Sequence, residues 1–203
     1  MRKLTPLRFA VRRPGVEHRR ARLLPDWVRR ADAVAARRIN EWPAHPRLDT
    51  GFAGLSRAAD RGRLWFAIAG VLALAGRRRA DLRGAALRGS GSLVAASILA
   101  NLVGKRLFGG PRPLLSGVPI GRRLAKYPTS ASFPSGHSAS AAGFAVGVTI
   151  EAPAAAIVVA PLAAAVAYSR LHVSAHWLSD VVGGVVLGAV VAVVGRALVP
   201  ARP

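Results

Sequence analysis

The sequence predicts an all-α fold, an integral membrane helical bundle of about five spanning helices with a basic amphipathic helix on its N-terminal side. Three observations carry that expectation. Hydrophobic residues make up 52% of the 203-residue chain and charged residues only 19%, less charge than the surface of a soluble globule normally carries. The apolar residues collect into several nearly uncharged runs instead of alternating with polar ones. The thirty Lys and Arg crowd the segments between those runs and give a net charge of +21. In a soluble chain such a charge points to nucleic acid. Set between apolar runs it suits anionic lipid headgroups and a phosphate-bearing substrate, so membrane lipids are the expected partners and nucleic acid is not. The chain has no cysteine, which excludes disulfides and thiolate metal sites, and its length suits one domain.

Taken in order, residues 1–63 carry sixteen of the thirty Lys and Arg and no long apolar run. Residues 1–26, rich in Arg and Pro, read as a disordered basic tail. No apolar core follows their early charges, so they do not read as a cleavable signal peptide. Within 27–63, Trp27, Ala31, Ala35, Ile39 and Trp42 fall near one helical stripe, while Arg29, Arg30, Arg37 and Arg38 lie largely off it. A basic helix with a Trp at each end fits the membrane interface; the same pattern also serves a surface helix packed on its own domain.

The membrane domain is expected over 64–199, followed by a tail at 200–203. Its five apolar runs cover about 64–76, 85–104, 138–150, 154–168 and 181–199. The first is short, with Arg61, Arg63 and Arg77 to Arg79 placed to snorkel. Glu151-Ala152-Pro153 makes a tight turn between the third and fourth. Gly143 and Gly147, and Gly184 and Gly188, have the spacing that lets neighbouring helices approach closely. Counting crossings then fixes which polar stretches meet. The second run ends at Lys105, the third begins after His137 and the fourth ends at Arg170, so all three points lie at one end of the bundle. Arg77 to Arg79, the Glu151 turn and the C-terminus lie at the other.

Those three stretches hold the candidate chemistry. In the first, Lys105 and Arg112 stand seven apart around a Gly-Gly-Pro bend and can curl about a multiply charged anion, Arg as a bidentate donor and Lys as a point charge. The second, Phe133-Pro134-Ser135-Gly136-His137, precedes an apolar helix. Ser135 can cap it, Gly136 admits close backbone approach, and the free N–H groups of a helix start attract an anion. In the third, Arg170 adds a cation, and His176 and Asp180 share a helix face, four apart. A carboxylate on one imidazole nitrogen leaves the other as a directed nucleophile or base. His172 has no assigned role beyond packing or contact with headgroups. Two histidines and an aspartate could hold zinc, but three cations oppose it, and there are too few carboxylates for Mg²⁺. No metal or other cofactor is expected. The pattern suits phosphoryl transfer, with His176, His137 and Asp180 as the catalytic group and Lys105, Arg112, Ser135, Gly136 and Arg170 as the phosphate-binding set.

Lys105-x6-Arg112-Pro113, Pro134-Ser135-Gly136-His137 and Ser169-Arg170-x5-His176-x3-Asp180, in that order, resemble the three signature motifs of the type-2 phosphatidic acid phosphatase superfamily. The resemblance covers about 64–199 and no motif position departs. It implies a metal-independent phosphohistidine mechanism, a six-helix membrane fold in the usual members, and a lipid phosphate, polyprenyl phosphate or pyrophosphate, or polyprenyl-linked sugar phosphate as substrate. It also implies two alternatives: a vanadate-dependent haloperoxidase, an otherwise soluble and larger relative, or a non-catalytic lipid-phosphate binding or flipping protein. The usual first span is replaced here by the basic stretch. Five spans put residues 1–63 on the side of the site, and the positive-inside rule puts that side in the cytoplasm of the plasma (inner) membrane. Arg77, Arg78, Arg79, Arg83 and Arg88, at the opposite end, pull the other way.

Overall fold

A computed structural model describes residues 24–115 and 118–199. The expectations for 1–23 and 200–203 lie outside the described residues. Among the described residues the main helices are α1 (Asp26–Glu41), α2 (Pro46–Ala58), α3 (Arg63–Ala75), α4 (Ala80–Leu107), α5 (Gly136–Glu151), α6 (Ala156–His172) and α7 (Leu178–Leu198). Among the described residues there is no strand, only an isolated bridge between Gly109 and Phe133.

Helices α3 to α7 run up and down as the five apolar runs predict, with α5 at the centre. Nine of its sixteen residues are buried, Phe144 and Val148 among them. Small residues let the neighbours close on it. A Cβ on Gly143 would lie 2.9 Å from the Ser92 carbonyl of α4, and one on Gly188 of α7 only 2.2 Å from the Ala139 carbonyl of α5. Both glycine pairs singled out in the sequence thus sit at helix contacts. Trp65 of α3 packs on Phe144, ring centroids 5.2 Å apart, and the core continues through Leu93, Val148, Val159 and Val166. At the far end Glu151 pairs with Arg88, whose Nη2 donates to the Val199 carbonyl at 2.8 Å, tying α4, α5 and α7 together.

Among the described residues three helices are long and apolar enough to cross a membrane: Ala80–Leu107, Pro153–His172 and Leu178–Leu198. With 13 and 16 residues, α3 and α5 fall short of the roughly 20 that a span needs. For α5 the reason is its place. Sheathed by α4, α6 and α7, it need not match the bilayer with its own apolar length. On α7, Val182, Val186 and Val193 are exposed among the described residues.

In the stretch 27–63, α1 covers the Trp27-to-Trp42 stripe, and α2 is a second helix that the stripe does not predict. The two are broken between Trp42 and Pro46, and both lie over the end of the bundle that holds the three motif stretches. Helix α2 begins at Pro46 with the His45 ring accepting from the Leu48 N–H at 3.4 Å. It packs across α6 through Phe52, which meets Tyr168 edge-on at 5.0 Å and His172 at 4.8 Å. Helix α1 packs on α7 and α6, leaving Trp27 and Trp42 67% and 63% exposed at its two ends.

Buried polar groups fasten this pair to the bundle. Arg122, from the α4–α5 loop, donates to Asp49 Oδ1 at 2.9 Å and to the carbonyls of Ile39 (2.7 Å), Trp42 (3.1 Å) and Pro43 (3.0 Å). His172 Nε2 lies 2.8 Å from the same Asp49 oxygen, so His172 is a buried packing residue and not a headgroup contact. Asp32 of α1 accepts from the Ser179 N–H (2.7 Å) and hydroxyl (2.8 Å), capping the start of α7.

Candidate active site

Backbone geometry brings the first two motif stretches together. Gly109 (φ 62°) and Gly110 (φ 107°) take left-handed conformations that turn the chain back after α4. Their carbonyls then accept from the Phe133 and Ser132 N–H groups at 3.1 and 3.0 Å. The third stretch joins through Ser135, whose N–H donates to the Asp180 carbonyl at 2.9 Å. Tyr127 closes the loop side, its hydroxyl within reach of the Pro113 (3.0 Å) and Ser174 (2.7 Å) carbonyls. Burial pushes that hydroxyl up to about 12, so it stays a donor.

His176 sits in the turn between α6 and α7 and is buried. Its Nδ1 faces Asp180 Oδ2 at 3.4 Å and its Nε2 faces Arg112 Nη1 at 3.1 Å. A guanidinium only donates, so Nε2 carries the lone pair and Nδ1 the proton. Burial pulls the imidazole down to about 3, with Arg112 adding to the effect and Asp180 opposing it. The ring is therefore neutral and holds a lone pair. Asp180 is fully buried; its Oδ2 also accepts from the Trp177 N–H at 2.9 Å and from the Ser132 hydroxyl.

The cations converge from three elements. Arg112 is fixed by the carbonyls of Ser130 (2.9 Å), Ala175 (2.5 Å) and Ala131 (3.3 Å). Lys105 Nζ reaches Asn101 Oδ1 at 2.7 Å and Ser130 Oγ at 3.2 Å, just after a π-helical stretch over Leu99–Gly104. Arg170 bonds the Ser56 hydroxyl of α2. A cavity of roughly 450 Å³ opens among Lys105, Arg112, Gly136, His137, Arg170 and His176 and continues along Phe66, Leu93, Val94 and Ile98. One end is cationic and the other apolar.

Of the site residues expected from the sequence, six therefore line one cavity. Ser135 and Asp180 stand behind it. Ser135 caps α5, its hydroxyl accepting from the Ser138 N–H (3.3 Å) and bonded to the Ser138 hydroxyl (2.9 Å), away from the cavity. Among the described residues no cluster of three His, Cys, Asp or Glu is arranged to hold a metal ion.

The structure adds residues that the sequence reading did not assign to the site, among them Arg61, which it placed as a snorkelling residue. Asp60, in the turn between α2 and α3, places Oδ1 2.9 Å from His137 Nε2, and that contact holds its carboxyl below the usual range. Arg61, next to it, lines the cavity. Asn101, Ser130 and Ser132 hold Lys105, Arg112 and Asp180. A signal existed for Asn101, an amide inside an apolar run and one turn before Lys105. None existed for Asp60, whose partner is 77 residues away.

A bundle with a buried His–Asp pair, three cations at one end and apolar outer faces defines a class, a membrane protein that handles phosphate esters. Residues 86–203 match the family described as the PAP2 superfamily. Over 142 residues the chain is 34% identical to decaprenylphosphoryl-5-phosphoribose phosphatase of Mycobacterium tuberculosis, in strains CDC 1551 and H37Rv, covering 68% of this chain and 73% of the relative. The fold matches a transmembrane PAP2-type phosphatidylglycerolphosphate phosphatase from Bacillus subtilis, with a TM-score of 0.65, 21% identity and coverage of 88% and 89% of the two chains. It also matches Aquifex aeolicus LpxE, with a TM-score of 0.56, 21% identity and coverage of 81% and 94%. The chain belongs to the PAP2 superfamily and is a phosphoric ester hydrolase.

Proposed function

We propose that this protein removes the terminal phosphate from a lipid phosphate monoester by way of a phosphohistidine, with a polyprenyl-linked sugar phosphate as the favoured substrate. The observation that carries the mechanism is His176. Its Nε2 lone pair is turned to the cationic cavity, and Asp180 stands behind Nδ1. Nε2 attacks phosphorus while the bond to the leaving oxygen breaks. Lys105, Arg112 and Arg170 stabilise the charge on the three equatorial oxygens, Arg112 exchanging its contact with Nε2 for one with phosphate. Asp180 stabilises the cationic ring that results. With Nε2 held by Asp60, His137 gives the leaving alkoxide its proton from Nδ1. Water then attacks phosphorus, His137 takes its proton, and the P–N bond breaks to release phosphate.

The substrate class rests on the mycobacterial relative, which is named for a decaprenyl phosphosugar phosphate, and on the apolar extension of the cavity, which suits a tail. On this reading the protein serves cell-wall precursor synthesis in the plasma membrane. The bundle crosses five times, α3 with the help of flanking arginines, and α1 lies in the interface, its exposed Trp27 and Trp42 as anchors. The described part of the basic N-terminal region, helices α1 and α2, covers the site end, which favours a cytoplasm-facing site. A cysteine placed at Thr50 that reacted with an impermeant reagent in intact cells would overturn that orientation.

The direct test is phosphate release by the purified full chain, with EDTA present, from phosphatidate, phosphatidylglycerophosphate, polyprenyl phosphate and a polyprenyl-phosphoribose phosphate. Release from the last at the highest kcat/KM, absent in His176→Ala, is the expected result. Release by the variant at the wild-type rate refutes the mechanism; a preference for another lipid refutes the substrate.

A further inference from the structure

We propose that Arg61 forms a second anion subsite, which holds the phosphodiester of a lipid whose terminal monoester is separated from its tail by that diester. The inference rests on the reading of the cavity as a lipid phosphatase site and adds what lies between the reacting phosphate and the tail. Arg61 is one of the cavity's four cations, and its neighbours in the chain fix its place. Asp60, before it, touches His137 at the reacting end. Gly62, after it, faces the apolar wall: a Cβ there would lie 3.0 Å from Phe66 and 3.4 Å from Leu93. Arg61 therefore stands at the border between the phosphoryl end and the tail end.

Two further observations point to a ligand. Arg61 holds a left-handed backbone (φ 55°), which a non-glycine residue adopts at a cost, and such strain collects at functional sites. The other three cavity cations are committed, Lys105 to Asn101 and Ser130, Arg112 to Ser130, Ala131 and Ala175, and Arg170 to Ser56. Arg61 is exposed and lines the cavity, and among the described residues no hydrogen bond or ion pair engages its guanidinium. A planar guanidinium with five free N–H donors suits two oxygens of a phosphodiester. A lipid monophosphate brings no anion to this position. A lipid in which a phosphodiester joins the tail to a phosphorylated sugar or polyol brings one.

The test compares two substrates in neutral detergent, polyprenyl phosphate and a polyprenyl-phosphoribose phosphate, with wild type, Arg61→Asn and Arg61→Lys. Asn tolerates the left-handed region best among non-glycine residues, which keeps the turn intact; unchanged thermal midpoints verify this. In Arg61→Asn, KM for the diester-bearing substrate should rise about tenfold more than KM for the monophosphate, kcat changing little, and Lys should recover part of the loss. Equal effects on both substrates, or none, overturn the subsite. An effect common to both that emerges only when anionic lipid is added assigns Arg61 to bulk headgroups and overturns it too. Calorimetric binding of the dephosphorylated diester lipid needs no turnover. Binding weakened about tenfold in Arg61→Asn, with a wild type that hydrolyses neither substrate, would sink the phosphatase reading and keep the subsite. Binding indifferent to Arg61 would remove the subsite and leave the phosphatase reading standing.

Discussion

Asp60→Asn isolates the step assigned to His137. The substitution keeps a side chain that can bond Nε2 and removes only the charge 2.9 Å away. Leaving-group protonation needs a cationic His137 in a cavity already holding Lys105, Arg112 and Arg170, and Asp60 is the carboxylate that touches this ring. At a contact distance and an effective dielectric near 20 the attraction would approach about 4 kcal/mol. With the Asp60 side chain 48% exposed, solvent screening cuts it to about 1 kcal/mol. At about 1.4 kcal/mol per decade, kcat/KM for an alkyl ester should fall about fivefold. The assay is kcat/KM, which reports ester cleavage up to the phosphohistidine and not the later hydrolysis in which His137 acts as base, on a lipid alkyl phosphate and on p-nitrophenyl phosphate, whose leaving group needs no proton. Asp60→Asn and His137→Ala should both slow the alkyl ester, the latter about 10²-fold or more, and both should spare the nitrophenyl ester. Equal losses on the two esters would refute the reasoning and reduce Asp60 to an anchor for the α2–α3 turn.

Three other outcomes follow from the geometry. Wild type quenched in alkali during turnover should retain labelled phosphate on an imidazole, stable to base and released by acid, and His176→Ala should retain none; label on any other side chain rejects His176 as the nucleophile. Asp49→Ala leaves Arg122 buried without its counterion and should cost about 3–5 kcal/mol, read as a lower denaturation midpoint, while Asp49→Ala with Arg122→Met should cost less than the two singles summed. Burial raises the Asp49 carboxyl, but its bonds to Arg122 and His172 outweigh that and hold it below 3.8, so the contribution is complete above pH 4 and fades as pH falls through the lower folded value; a midpoint insensitive to pH between 5 and 2 speaks against it. Gly188→Ala puts a Cβ 2.2 Å from the Ala139 carbonyl and should part α7 from α5, lowering the thermal midpoint well below that of Gly195→Ala, which meets nothing within 4 Å.

The bundle was legible because its cause is local. Each run of Val, Leu and Ala buries itself as a helix whatever the rest of the chain does, and alternation of crossings alone puts Lys105, His137 and Arg170 at one end. The Ser135 cap and the Gly143 and Gly188 contacts are likewise written in short spacings. The α1–α2 pair was only half legible. Gly51, Gly54 and Thr50 weaken the helical pattern of α2, and its buried face carries Asp49 and Ser56 where a sequence reader looks for apolar residues. Those groups are buried because Arg122, His172 and Arg170 await them from three distant places, and pairings of that kind leave no periodic trace.

That difference bears on how the site is assembled. The family match begins at residue 86, yet the cavity is closed by Ala59, Arg61 and Gly62, and two of its motif side chains are held from the same side, Arg170 by Ser56 and His137 by Asp60. The matched segment supplies the proposed nucleophile, its orienting carboxylate and three of the four cavity cations; the preceding segment supplies Arg61 and the partners of Arg170 and His137. Because α2 is joined to α3 through only Ala59, Asp60, Arg61 and Gly62, any shift of α2 along α6 moves Asp60 and Arg61 with it. The Asp49–Arg122–His172 cluster opposes that shift from the other end of α2. A buried ionic cluster adds little net stability over an apolar one, but it fixes one register, and register is what a cavity built from two segments requires.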